Sequence, residues 1–105
     1  MKIKAYDGTS VALIEDVVDH VARKHSEVLS LLSLVREGFV KLLCSSLEDP
    51  DEAYLDVRGS KYFLKRVDGL YLNVVVSGDT VRTAYLISSR TYSRMRRRRW
   101  LRRLC

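Results

Sequence analysis

At 105 residues, 47% of them apolar, the chain has the size and composition of one globular domain that can bury a core without disulfide or metal staples. Its formal charge of +6 is unevenly placed: eight of the 19 Lys and Arg fall in residues 90–105, which hold no acid, while the other 11 stand against all 13 Asp and Glu, a net of −2. The apolar runs are too short to span a bilayer, Met1–Tyr6 lacks the apolar stretch of a secretory signal, and Cys44 and Cys105 make neither a disulfide framework nor a zinc pattern, so the expectation is a cytoplasmic protein with no membrane partner, no metal and no cofactor.

In chain order, Lys2–Tyr6 reads as a short edge strand and Asp7-Gly8 as a turn. Thr9 or Ser10 is expected to cap a helix whose apolar positions Val11, Ile14, Val17, Val18 and Val21 recur at helical spacing and which ends near His25. Ser26 then caps a second helix, with Val28, Leu31, Leu32, Val35, Phe39, Leu42 and Leu43 as its stripe and Gly38 as a weak point. Cys44 falls in the same apolar stretch and reads as a small core residue. Asp49-Pro50-Asp51 stops the helical half.

The second half reads as a β-meander. Its strands are Ala53–Val57, Lys61–Val67, Leu70–Ser77 and Thr80–Ser88, joined at Arg58-Gly59, Asp68-Gly69 and Gly78-Asp79. The expected fold is therefore α+β: N-terminal helices packed on a four-stranded antiparallel β-meander, with residues 1–89 as the domain and 90–105 as an Arg-rich C-terminal tail or helix. Two tight turns in unbroken register place Lys65 opposite Leu72 and Leu72 opposite Tyr85, and Phe63 opposite Val74 and Val74 opposite Thr83. The more apolar face then carries Phe63, Lys65, Leu72, Val74, Val81, Thr83, Tyr85 and Ile87 and receives the helices. The other carries Tyr62, Leu64, Arg66, Tyr71, Asn73, Val75, Arg82 and Leu86, either a solvated face or one that grips RNA by arginine and tyrosine.

The cationic end, rich in Arg rather than Lys, suits phosphate and base stacking, so RNA or DNA is the first partner expected, with Arg96, Arg97, Arg98 and Arg99 joining Arg66 and Arg82. Lys65, Thr83 and Tyr85 stand among apolar neighbours. They are either rim residues and ordinary strand formers or parts of a site. His25 continues the stripe of the first helix and His20 lies near its edge. A histidine, a lysine and hydroxyls converging where a helix end meets a sheet can do acid–base work on a phosphodiester.

The order of these residues resembles a known group. His20 and His25 flank Arg23-Lys24; then come Asp49-Pro50-Asp51-Glu52, Tyr62-Phe63-Leu64-Lys65-Arg66, an apolar Leu72–Val76 strand and Val81-Arg82-Thr83-Ala84-Tyr85. Over roughly residues 10–90 this is similar to the barnase–EndoU–colicin–RelE-like small ribonucleases and toxins, especially the phage-associated members. The resemblance implies a metal-independent endoribonuclease, often a toxin held by an antitoxin or immunity protein. It implies His25 as acid or base, Lys65 and Arg58 as phosphate contacts, Thr83 and Tyr85 as orienting or proton-donating groups, and His20 as a secondary candidate. Two other readings stay open: a non-catalytic RNA- or DNA-binding module using the tail and sheet face, and an interaction protein whose tail binds an acidic partner. The oligomeric state is open.

Overall fold

The computed structural model describes residues 1–25, 27, 30 and 36–105. The expected cap Ser26 and the stripe residues Val28, Leu31, Leu32 and Val35 lie outside the described residues. The fold is α+β, with a seven-stranded mixed sheet.

The chain opens with β1 (Lys2–Lys4) and β2 (Ser10–Ala12), an antiparallel pair. Asp7 closes the turn by accepting hydrogen bonds from the Thr9 backbone N–H (3.0 Å) and hydroxyl (2.7 Å). Thr9 and Ser10 therefore belong to the hairpin and do not cap a helix. Helix α1 (Glu15–Lys24) starts later, from Ile14, without a side-chain cap. Glu15 and Asp16 in its first turn and Arg23 and Lys24 in its last complement the helix dipole instead. His25 ends it, its N–H bonded to the Val21 carbonyl.

Helix α2 (Arg36–Glu48) runs unbroken through Gly38 and stops just before Pro50. The meander follows as β3 (Glu52–Asp56), β4 (Lys61–Val67), β5 (Leu70–Ser77) and β6 (Thr80–Ile87). Asp68 and Gly69 both take positive φ, as a type I′ turn requires. The meander is the middle of a wider sheet, ordered β1-β2-β6-β5-β4-β3-β7. Strand β2 meets β6 in parallel at Ala12 and Thr80, and β7 (Trp100–Arg103) pairs antiparallel with β3. The Arg-rich segment is thus helix α3 (Ser89–Arg98) followed by an edge strand, and it is part of the sheet. Ser88 caps α3, its side chain accepting from the Thr91 N–H.

The expected β4–β5 register holds, with Lys65 opposite Leu72 and Phe63 opposite Val74. The β5–β6 register does not. A β-bulge makes Arg82 an extra residue, so Val76 faces Val81 but Val75 faces Thr83, Val74 faces Ala84 and Leu72 faces Leu86. One inserted residue turns every later side chain over. Ala84 and Leu86 go to the helix-packed core with Phe63, Leu72, Val74 and Val81, and Thr83, Tyr85 and Ile87 go to the opposite face.

Both faces are covered. On one, Val18 and Val21 of α1 and Phe39, Leu43 and Leu47 of α2 pack on the sheet, with Cys44 partly buried against them. On the other, Met95 of α3 and Trp100 close over Tyr54, Tyr62, Leu64, Tyr71 and Val75. The face expected to be open to solvent or RNA is therefore mostly interior: Tyr62, Leu64, Tyr71, Asn73 and Val75 are buried, while Arg66 and Arg82 stay exposed. Stacked rings hold this second layer, Trp100 on Tyr54 (4.4 Å) and Tyr92 on Tyr71 (4.4 Å). The Tyr54 and Tyr92 hydroxyls both donate to Glu52 Oε1, and Arg103 Nη1 stands 3.9 Å from the same oxygen.

Candidate nucleic-acid interface and active site

Helix α3 lies over the sheet with its last turn and the residue after it near the β3–β4 turn. This forms a cavity of about 300 Å³ lined by Asp56, Arg58, Ser60, Tyr62, Arg82, Arg98 and Arg99, together with the exposed Val57. A neighbouring cavity of about 430 Å³ shares Arg98 and Arg99 and adds Tyr85, Thr91, Arg94 and Met95. A third, of about 450 Å³, shares Arg82 and adds Asp16, Val17, His20, His25 and Thr83. Arg98 and Arg99 border the first two and Arg82 borders the first and third, so the three adjoin in a row, called the cleft below, arginine-rich in one part and histidine-bearing in another.

The charge balance of the arginine end is one-sided. Among the described residues lining that 300 Å³ cavity, four guanidiniums face the single carboxylate of Asp56. That carboxylate is already engaged: its oxygens accept from the Tyr62 hydroxyl (2.8 Å) and the N–H groups of Ser60 (2.9 Å) and Arg58 (2.9 Å). Burial pushes its pKa up, but these bonds and the Arg99 charge outweigh burial and hold it below the usual carboxylate value. Burial, then the bond to Asp56, pushes the Tyr62 hydroxyl up to about 12.

The Asp56 shift has a testable consequence. Its folded pKa lies below the unfolded one, so its stabilisation is complete above about pH 4 and is lost as pH falls through the folded value. In melting curves, wild type is expected to exceed Asp56→Asn at neutral pH and to converge with it in acid. A gap that persisted unchanged in acid would count against the ionised Asp56 as the brace of this turn.

At the other end, α1 crosses β6 and delivers His25 beside the bulge. The His25 and Tyr85 rings lie 5.5 Å apart, His20 stands 6.0 Å from His25, and His25 Nδ1 lies 3.7 Å from Glu27 Oε1. His20, His25, Thr83 and Tyr85 are all half-buried, and Arg82 is exposed among them. The bulge assembles this group: in an unbroken ladder Thr83 and Tyr85 would point into the helix-packed core, away from α3.

The structure therefore brings together His25, His20, Thr83 and Tyr85 with Arg58, Arg82, Arg98 and Arg99. Lys65 is elsewhere. Its Nζ donates to the Asp49 carbonyl (2.6 Å) and sits 3.7 Å from the Asp49 carboxylate, so it tethers the approach to β3 at the rim of the helix-covered face. Arg66 lies over the Tyr71 ring, and Arg96 over Tyr54 and Tyr92; with Arg97, Arg96 lines a shallow depression beside Tyr92 and Ser93. Sequence reasoning missed Arg94, Asp56 and Met95, while Tyr62 was read on the RNA-gripping face. The four-residue spacing of Arg94 and Arg98 on one helical face was the available signal.

No described helix is long and apolar enough to cross a membrane. Among the described residues no three His, Cys, Asp or Glu side chains are grouped to hold a metal ion. Compared with known proteins, the chain matches no family model, no curated sequence and no solved structure.

Proposed function

We propose that this chain is a metal-independent endoribonuclease of the toxin type, in which the arginine end of the cleft holds the RNA backbone and the histidine end cuts it. The observation that carries the reading is the meeting of His25 and Tyr85 next to the Arg82, Arg98 and Arg99 guanidiniums. In the reaction, the ribose 2′-oxygen attacks the adjacent phosphorus and the bond from phosphorus to the 5′-oxygen breaks. His25 takes the 2′ proton or returns one to the departing 5′-oxygen, and the Tyr85 hydroxyl serves the complementary step. Thr83 orients the phosphate and the arginines stabilise its developing charge. His20 is a secondary proton carrier. An acidic antitoxin or immunity protein would block the enzyme by filling the same cationic cleft.

The test is purified protein on single-stranded RNA in EDTA. Fragments ending in a 2′,3′-cyclic phosphate are expected, with the matching DNA uncut because it lacks the nucleophile. Lys65→Ala should cut nearly as well as wild type. Arg98→Ala with Arg99→Ala should bind more weakly, and each lost phosphate contact should flatten the salt dependence by about 0.7 on a log–log plot. RNA that is bound but stays intact would move the assignment to the alternative, a non-catalytic RNA- or DNA-binding module, which the excess of arginines over acid–base groups in the cleft also supports.

A further inference from the structure

Behind the cleft, on the strand next to β6, lies a residue that neither packing nor the proposed cleavage uses. Asn73 sits on β5, inside the layer covered by α3, and is 0% exposed. Among the described residues neither its Oδ1 nor its Nδ2 meets a hydrogen-bond partner. Both atoms of a buried amide are normally satisfied, and an unmet one weakens the fold. Its row neighbours facing α3 are Tyr71 and Val75, so an apolar side chain would continue the pattern at no such cost.

Directly across the ladder from Asn73 stands Tyr85, a wall of the 430 Å³ cavity under α3. Met95 lines the same space, and Arg94, Arg98 and Arg99 rim it. An aromatic wall, an apolar wall and cationic edges are what a flat, phosphate-flanked ligand requires. Asn73 is fully covered, so a base reaches its amide only if the half-buried Tyr85 ring moves aside.

We infer that this cavity receives one adenine of the bound strand, stacked on Tyr85 and read by Asn73. The inference rests on the RNA reading of the cleft and adds base selectivity to it. The Asn73 amide offers an acceptor beside a donor, which complements the N6 amino group and N7 of adenine. Guanine places two acceptors at the same edge and would set O6 against Oδ1. A pyrimidine presents a smaller face to Tyr85 and Met95.

The experiment measures binding of labelled, uncleavable 2′-O-methyl oligomers of A, G and U to wild type and to Asn73→Leu across a salt series, with melting curves of both proteins. Wild type is expected to prefer the A oligomer by about tenfold. Asn73→Leu should reduce that preference to less than about twofold, keep the salt slope and melt higher, because leucine suits the apolar surroundings. As a check that needs no variant, adenosine 5′-monophosphate should raise the wild-type melting temperature more than guanosine 5′-monophosphate does. Binding of all oligomers alike, or a preference that survives in Asn73→Leu, would overturn the inference and leave the cleft reading intact. A lower-melting or unfolded Asn73→Leu would overturn it too, by showing that the amide supports the fold. Failure of wild type to bind any oligomer would overturn the cleft reading and the inference with it.

Discussion

Replacing His25 by alanine is expected to lower RNA cleavage by about 10²–10⁴-fold, the usual contribution of a positioned acid–base group, while changing RNA affinity by less than about twofold. The separation follows from position. His25 caps the C-terminal end of α1 through its backbone N–H, and that bond to Val21 survives the substitution. What is lost is the imidazole beside Tyr85 and its pairing with Glu27. The charge proposed to hold phosphate comes from Arg58, Arg82, Arg98 and Arg99 on other elements, and it stays. Single-turnover cleavage and anisotropy on the same oligomer measure the two effects independently. His20→Ala is the internal comparison: it lines the same cavity but lies one ring further from Tyr85, so a smaller loss is expected. Equal cleavage by His25→Ala and wild type would remove His25 from the chemistry.

Local signals predicted most of the elements. Alternation of apolar residues and the Asp68-Gly69 and Gly78-Asp79 turns set β4 and β5 at the observed bounds, and Pro50 marked the end of α2. Two features escaped because they depend on contacts distant in sequence. Local preference favours Thr9 or Ser10 as a helix cap, yet the parallel pairing of Ala12 with Thr80 holds that stretch as strand. The bulge at Arg82 also left no local mark. Val81, Thr83, Tyr85 and Ile87 alternate acceptably on one face, and only the packing of Ala84 and Leu86 against the helices shows that the ladder slips. The slip decides the site. It takes Tyr85 and Thr83 from the Lys65 side of the sheet, where an even ladder would leave them, to the other face, Tyr85 beside the arginines of α3 and Thr83 beside Arg82. Five of the residues read as functional therefore keep company that the sequence did not suggest: Thr83, Tyr85, Arg82, Arg98 and Arg99.

The last expected result concerns what an Arg-rich segment is for. Trp100→Ala should destabilise the whole protein by about 3–5 kcal/mol, a large part of the roughly 5–15 kcal/mol that holds a domain of this kind together. Trp100 is 6% exposed, stacks on Tyr54 and touches the rings of Tyr62 and Tyr92. It pins β7 to β3 at Asp56 and so sets where α3 lies over the sheet. At about 4–8 °C per kcal/mol for a chain of this size, the fall in melting temperature is easily measured by circular dichroism. Leu101→Ala is the control, because its neighbour Leu101 is 68% exposed and should change little. A detachable basic tail predicts the opposite: the body would melt as before and only RNA affinity would drop. Integration predicts that stability and affinity fall together, because the guanidiniums of Arg94, Arg98 and Arg99 face the cleft only while Trp100 holds the end of α3 against the tyrosines. Crowded into one short segment, the eight arginines repel one another. Anchoring them through a buried indole makes sense where their positions, and not only their charge, are needed.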